Sequence, residues 1–129
     1  CDILLSLHRA EGFGLALAEM MYLGKPVIGT GWSANMDFMT PDNSIPVRYM
    51  LKPLEQAVGV YPAGQLWAEA DVEHAAKSLQ RLLDDPQLRR EIGARAAQDI
   101  RTQLSPAAVG ELVRERLSLI NYWHPQLRC

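Results

Sequence analysis

The chain has 129 residues, of which 48% are apolar and 22% charged, and its net charge is −2. Those proportions belong to an ordinary globular domain, or part of one, large enough to bury about two-thirds of its unfolded surface. The acidic balance leaves no basic excess to neutralise phosphates, so no nucleic-acid partner is expected.

Cys1 and Cys129, the only cysteines, provide neither a disulfide framework nor metal-ligand spacing, as expected of reduced thiols in a cytoplasmic protein. No signal peptide is visible, and no apolar run reaches the ~18 residues of a membrane span. The chain opens on Cys-Asp-Ile-Leu-Leu-Ser-Leu rather than Met, which suggests a piece of a longer protein.

The first half alternates strand and helix. Ile3 to Leu7 reads as a buried strand, broken by Gly12 and Gly14. A helix follows from about Gly14 to Leu23, with Gly24 as its stop. Lys25, just beyond, suits the helix C-terminus. Val27 to Gly29 is a second strand, and Ser33 is placed to cap a short helix over 35–39. Ile45 to Leu51 is a third strand, in which Pro46 indicates an edge or a strand start. Pro53, Gly59, Pro62 and Gly64 make Lys52 to Leu66 a long surface loop.

The second half is helical. Asp71 caps a helix to about Leu83, with Val72, Ala75, Ala76, Leu79, Leu82 and Leu83 as its apolar stripe. Asp85-Pro86 starts the next helix, and Leu88, Ile92, Ala96, Ile100 and Leu104 recur at every fourth position. Ser105-Pro106 starts a third, with a stripe of Val109, Leu112, Val113, Leu117 and Ile120. The division is a β/α part (1–51), a loop (52–70), three helices (71–121) and a tail (122–129). Strands separated by a helix imply an α/β fold with a parallel sheet. About three strands make it a partial Rossmann-like sheet, a form that usually has five or six.

Ligands of such sheets bind outside the carboxyl ends of the strands. Glu11-Gly12-Phe13-Gly14 lies there and leads into a helix N-terminus whose free N–H groups suit a diphosphate. Glu19, eight positions after Glu11, stands in an uncharged run from Phe13 to Leu23, and a half-buried carboxylate there needs a partner. Vicinal hydroxyls would supply one, as the ribose does in dinucleotide folds. The alternatives are that Glu11 faces the helix dipole and that Glu19 pairs with an arginine. His8 and Arg9, at the strand end, are candidate cleft residues. His74 reads as solvated, His124 as part of the tail, and Trp67 as packing under the helices. The three histidines share no metal-ligand spacing, and no Asp-x-Asp occurs, so no metal is expected. Arg89, Arg90, Arg95 and Arg101, interleaved with Glu91 and Asp99, read as a solvated face, with anionic lipid as the alternative contact.

Ser6-Leu7-His8-Arg9-Ala10-Glu11-Gly12-Phe13-Gly14-Leu15, then Ala18-Glu19, then Leu23-Gly24-Lys25-Pro26-Val27-Ile28 resembles the Glu-x7-Glu region of retaining glycosyltransferases of family 4. Trp32-Ser33-Ala34-Asn35-Met36-Asp37-Phe38-Met39 is similar to that family's Ser-Gly-Asn-x-Asp-Phe-Met segment, with Ala34 in place of glycine. Tyr61 and Trp67-Ala68-Glu69-Ala70-Asp71 resemble its Trp-Ala-Glu-Pro-Asp lead into the C-terminal helices. The match runs to about Ile120.

The resemblance implies the C-terminal, donor-binding part of a GT-B enzyme. It implies that Glu11, the candidate catalytic residue, positions the donor sugar near the reacting carbon. Glu19 would bind the ribose, and Gly12, Phe13, Gly14 and Leu15 would offer backbone N–H groups to sugar and diphosphate. The donor would be a nucleotide-diphospho-sugar, transferred with retention by front-face attack, with no cofactor. The family's basic Arg and Lys pair and its acceptor domain lie upstream, outside this chain, so little or no transfer by the chain alone is expected. The implied place is cytoplasmic, with peripheral membrane association of the parent. A non-catalytic scaffold and a nucleotide-sugar epimerase of the same fold are the alternatives.

Overall fold

The computed structural model describes residues 1–123. In chain order the elements are β1 (Leu4–Ser6), α1 (Leu15–Tyr22), β2 (Val27–Thr30), a 3₁₀ turn (Ala34–Asp37), β3 (Ile45–Val47), β4 (Tyr49–Pro53), β5 (Leu66–Ala70), α2 (Val72–Asp84), α3 (Pro86–Gln103) and α4 (Pro106–Trp123). β1, β2 and β3 form a parallel sheet in that order, with Leu4 opposite Val27 and Ile28 opposite Ile45. This is the partial Rossmann-like sheet expected, with Pro46 on an edge strand.

β2 is buried at every position, as the middle strand of a sheet covered on both faces must be. Its side chains alternate between two cores. Val27 joins Leu17, Met21, Phe38 and Ile100, and Ile28 joins Val47, Ala75 and Leu82. α3 serves both, giving Ala96 and Ile100 to the first and Ile92 to the second.

α1 stops as the sequence indicates. Gly24 has φ 71°, its N–H reaches the Met21 carbonyl, and the Lys25 N–H reaches that of Met20. The pair of bonds is a Schellman motif. The Gly24 carbonyl lies directly against α3, where a Cβ added at Gly93 would stand 2.1 Å from its oxygen. The cation at this helix end comes from Arg101, which donates to the Tyr22 carbonyl (3.1 Å) and lies over the Tyr22 ring. Lys25, expected there, pairs with Asp2 at 3.6 Å. Arg89 donates to the carbonyls of Leu82 and Leu83 at the end of α2. Two of the four arginines read as a solvated face therefore bind helix ends, because long side chains on α3 reach the backbone of both neighbours.

Four other expectations are corrected. The strand 45–51 is two strands, since the chain leaves the parallel sheet at Arg48. The Arg48 N–H donates to His74 Nδ1 and its carbonyl accepts from the Asp71 N–H. His74 is thus half-buried and hydrogen-bonded, not merely solvated. The loop 52–70 is bounded by a β-hairpin, β4 running antiparallel to β5 with Tyr49 opposite Ala70 and Pro53 opposite Leu66, while residues 54–65 form the long connection between the strands. β4 is exposed at all but its first position and β5 fully buries Ala68 alone, so no continuous buried face imposed the period-two pattern that marks a strand. Finally, the α4 stripe is not a core stripe, because Val109, Leu112, Val113 and Leu117 are exposed. Periodicity sets the apolar face of a helix but does not supply an element to cover it.

In α2, Ala75 and Leu82 are buried as expected, whereas Val72 and Leu83 are exposed. α4 continues through Trp123, and the rest of the expected tail, with His124, lies outside the described residues. Among the described residues no helix is long and apolar enough to cross a membrane.

Asp71 caps α2 as expected, accepting from the His74 N–H at 2.8 Å, and pairs with Arg48. The His74 N–H bond holds the carboxyl below its ordinary value of 3.8; desolvation opposes this, and the Arg48 guanidinium adds to it. A lowered folded-state pKa stabilises the fold above the unfolded value, and the benefit fades as pH falls through the folded one. Asp71→Asn, which keeps a capping oxygen, is expected to be less stable than wild type at pH 7, with the difference closing below pH 3.8 in pH-dependent urea denaturation.

Two helical glycines separate packing from propensity. Gly93→Ala is expected to lose about 2 kcal/mol or more, because backbone blocks the new methyl. Gly110→Ala, with nothing within 4 Å of the new Cβ, gains about 0.5–1 kcal/mol. Chemical denaturation of both variants reads the opposite signs.

Candidate functional site

The three parallel strands end on one edge, and the segments leaving that edge meet. After β1 come residues 7–14, after β2 residues 31–39, and after β3 the hairpin. The turn after β1 has no ladder of its own and is held from the side. Ser33 Oγ donates to the Glu11 carbonyl (2.7 Å) and accepts from the Glu11 N–H (3.1 Å). Ser33 therefore does not cap the 3₁₀ turn, as the sequence had suggested. It clamps the backbone of Glu11 and has φ 84°, the sole non-glycine positive φ among the described residues. Ala34, at the glycine position of the resembling motif, begins the 3₁₀ turn without one.

Asn35 is fully buried beneath this turn. Its Nδ2 donates to the Thr30 carbonyl (3.0 Å) and toward Met39 Sδ, while its Oδ1 lies 3.0 Å from His8 Nε2. His8 Nε2 also faces the Trp32 carbonyl at 3.2 Å, and Nδ1 faces Ser6 Oγ at 3.2 Å. Both Nε2 contacts are acceptors, so the neutral Nε2–H tautomer, with Ser6 donating to Nδ1, satisfies all of them. His8, a candidate cleft residue, thus has both ring nitrogens engaged by the protein.

Arg9 is engaged as well. Its guanidinium lies over the Trp67 ring and 3.4 Å from Glu69, and its carbonyl accepts from the Ala68 N–H. Trp67 packs against Arg9 and edge-on against Tyr61. It does not pack under the helices, because β5 carries it into the hairpin.

With its main chain fixed, Glu11 has a half-buried side chain whose carboxylate forms no hydrogen bond or ion pair among the described residues. Phe13 rests on Phe38 with ring centroids 5.5 Å apart. Gly14, φ 92°, is the N-cap of α1, and no side chain caps that helix. The first amides of α1, beginning at Leu15, therefore have no intrahelical acceptor, and they carry the positive end of the helix dipole. An added Cβ at Gly14 would meet Leu17, Asn35 and Phe38 at 3.0–3.3 Å, whereas one at Gly12 meets nothing within 4 Å. One glycine is required by the protein and the other leaves open space.

Glu19 is exposed on α1 and pairs with no arginine among the described residues. The half-buried carboxylate expected from its apolar neighbours is not found, since a short helix keeps one side in water, here Leu15, Tyr22 and Leu23. The structure thus brings the Glu11 turn to an open helix N-terminus and leaves Glu19 free on that helix. It adds Ser33 and Asn35 as supports, which only the Ser-Ala-Asn run signalled in sequence.

The family described as Glycosyl transferases group 1 matches residues 1–99, which takes in every residue of this site. No curated protein matches the chain.

Gly14→Ala combines an unfavourable φ with contacts on three sides and is expected to destabilise by about 1–3 kcal/mol. Gly12→Ala is expected to stay within about 0.5 kcal/mol of wild type. Urea denaturation of the two variants checks the contrast, and equal losses would refute it.

Proposed function

The chain belongs to the group 1 glycosyl transferases, and on that premise we propose that it forms the donor half of a retaining transferase. The open N-terminus of α1 receives the diphosphate of a nucleotide sugar, Glu11 orients the sugar, and Glu19 accepts hydrogen bonds from the ribose. The observation that carries this reading is the pairing of a locked Glu11 backbone with a carboxylate that the protein leaves free.

In this reading catalysis is positioning plus charge stabilisation. The α1 amides meet the negative charge that grows on the leaving diphosphate, where preorganised donors have their largest effect. Front-face attack lets the leaving phosphate take the acceptor proton, and Glu11 holds the sugar rather than forming a bond to it. A double displacement would require a carboxylate close to the anomeric carbon. The diphosphate-neutralising Arg and Lys and the acceptor-binding domain belong to the rest of the parent, so the chain alone transfers little sugar.

Calorimetry of the full-length parent with UDP-, GDP- and ADP-glucose tests the reading. At least one is expected to bind. Glu19→Ala and Gly12→Ala are each expected to weaken it about tenfold or more, the first by removing charged hydrogen bonds and the second by filling the space next to the ligand. An unchanged Kd in both variants, or no binding by wild type, would sink the donor-site assignment.

A further inference from the structure

A cavity of about 560 Å³ lies beside β3, within the ordinary size range of ligand sites. Its walls are the connection that enters β3, a stripe of α2 at positions 74, 78 and 81, and a stripe of α3 at positions 88, 91, 92 and 95. Spacings of three and four put each set on one face of its helix. No residue of the Glu11 turn or of α1 lines it. The walls are tied to each other. Asn43, in the connection, donates to Asp99 of α3 (2.9 Å), and the main chain of Arg48, just past β3, bonds to His74 and Asp71 at the start of α2. The cavity is therefore preformed rather than a gap between loose elements.

Its chemistry selects among ligands. Arg81 comes from α2 and Arg95 from α3, and neither guanidinium forms an ion pair among the described residues. Two such forks suit a phosphoryl group. His74 adds a donor, because its Nδ1 accepts the Arg48 N–H (3.2 Å) and the ring proton is then on Nε2. Asp42 and Glu91 bring two negative charges, so the walls have no net charge to attract a bare anion. They differ in engagement, since Glu91 accepts from Gln87 (2.9 Å) while Asp42 has no ion pair among the described residues. Ser44 and Ser78 spend their hydroxyl protons on the carbonyls of Thr40 and His74 and keep oxygen lone pairs. The cavity thus offers cationic donors for one end of a ligand and acceptors for hydroxyl groups on the rest of it. His74 is the only ring with a π-face among its walls, so no aromatic platform selects a nucleobase.

We propose that this cavity binds a phosphorylated polyol, with the phosphoryl group at Arg81 and Arg95 and the hydroxyls at Asp42, Ser44 and Ser78. The site is separate from the donor turn and does not depend on the donor-site reading. Its ligand chemistry occurs on soluble sugar phosphates and on lipid headgroups, and the experiment distinguishes the two.

The test uses the full-length parent. Calorimetry with glucose 6-phosphate probes the soluble source. Cosedimentation with vesicles of equimolar phosphatidylglycerol and phosphatidylcholine, against phosphatidylcholine alone, probes the headgroup. At least one is expected to bind. Arg81→Gln and Arg95→Gln, both on exposed helix surface, are each expected to weaken it about fivefold or more. Arg90→Gln removes the same charge from an exposed α3 position outside the cavity and is expected to change affinity less than about twofold. Binding of neither probe overturns the proposal, as does an equal loss in all three variants, which would make the effect one of general surface charge. Glucose 6-phosphate that binds no more tightly than inorganic phosphate or glutamate overturns the ligand class. Glucose 6-phosphate binding that is lost in Gly12→Ala and unchanged in both cavity variants belongs to the donor turn, and also overturns the site.

Discussion

Asn35 is the buried side chain on which the carboxyl edge depends. It lies in the segment after β2, holds the end of that strand at Thr30, and reaches across to His8 in the segment after β1. Residues 7–14 depend on such ties from neighbouring segments. They leave the sheet after three strand residues, contain two glycines, and make no ladder of their own. Removing the Asn35 amide would take the side-chain donor from the buried Thr30 carbonyl and leave half-buried His8 Nε2 with the Trp32 carbonyl alone, and a desolvated group without a partner costs about 1–3 kcal/mol. Ser33, two positions away, adds a second tie by taking both polar groups of the Glu11 main chain. The Glu11 turn held this way gets its shape from the segment after β2, with positive φ at Ser33 on the supporting side and at Gly14 where the turn enters α1.

The other end of the site is fixed by α3. The Gly24 carbonyl sits on Gly93 without room for a methyl group, and Arg101 donates to the Tyr22 carbonyl at the end of α1. α1 is therefore fixed at its N-terminus by the Gly14 contacts and at its C-terminus by α3. Its direction, and with it the aim of its free amides, follows from those two contacts. The same helix holds the end of α2 through Arg89 and the β2–β3 connection through Asp99, which accepts from the buried Asn43. A single helix thus relates α1 to both cores. Its apolar repeat, Ile92, Ala96 and Ile100, is what makes this possible, because the stripe passes from one core to the other.

Features set by local chemistry were legible in the sequence. Gly24 as a helix stop, Asp71 and Asp85 as caps, Pro86 at a helix start, and the α3 stripe all depend on residues within a turn or two of each other. Features set by distant partners were not. Ser33 reads as a cap because serines before a helix usually cap it, but its partner is Glu11, 22 positions back. The hairpin was hidden because its strands are held by each other and by Arg9 and Trp32, with no buried stripe to show a period. Glu19 was misread for the opposite reason. Its neighbours are apolar, but three of them, Leu15, Tyr22 and Leu23, are exposed, so composition along the helix implied a burial that geometry does not produce.

This correction changes what Glu19 means. A buried carboxylate would be retained or replaced according to the stability of its partner, and its loss would say little about a ligand. An exposed one with no ion pair contributes little to the fold. Glu11 is similar by a different route, since Ser33 holds its main chain and its carboxylate makes no hydrogen bond or ion pair among the described residues. The two carboxylates of the motif are therefore separable from folding, whereas Gly14, Ser33 and Asn35 between and around them are not. On the donor-site reading, recognition rests on side chains that the protein can spare, and their placement rests on side chains that it cannot. The hairpin is tied to the same edge through the Arg9 carbonyl, while Glu55 and Gln56 lie outside its two strands.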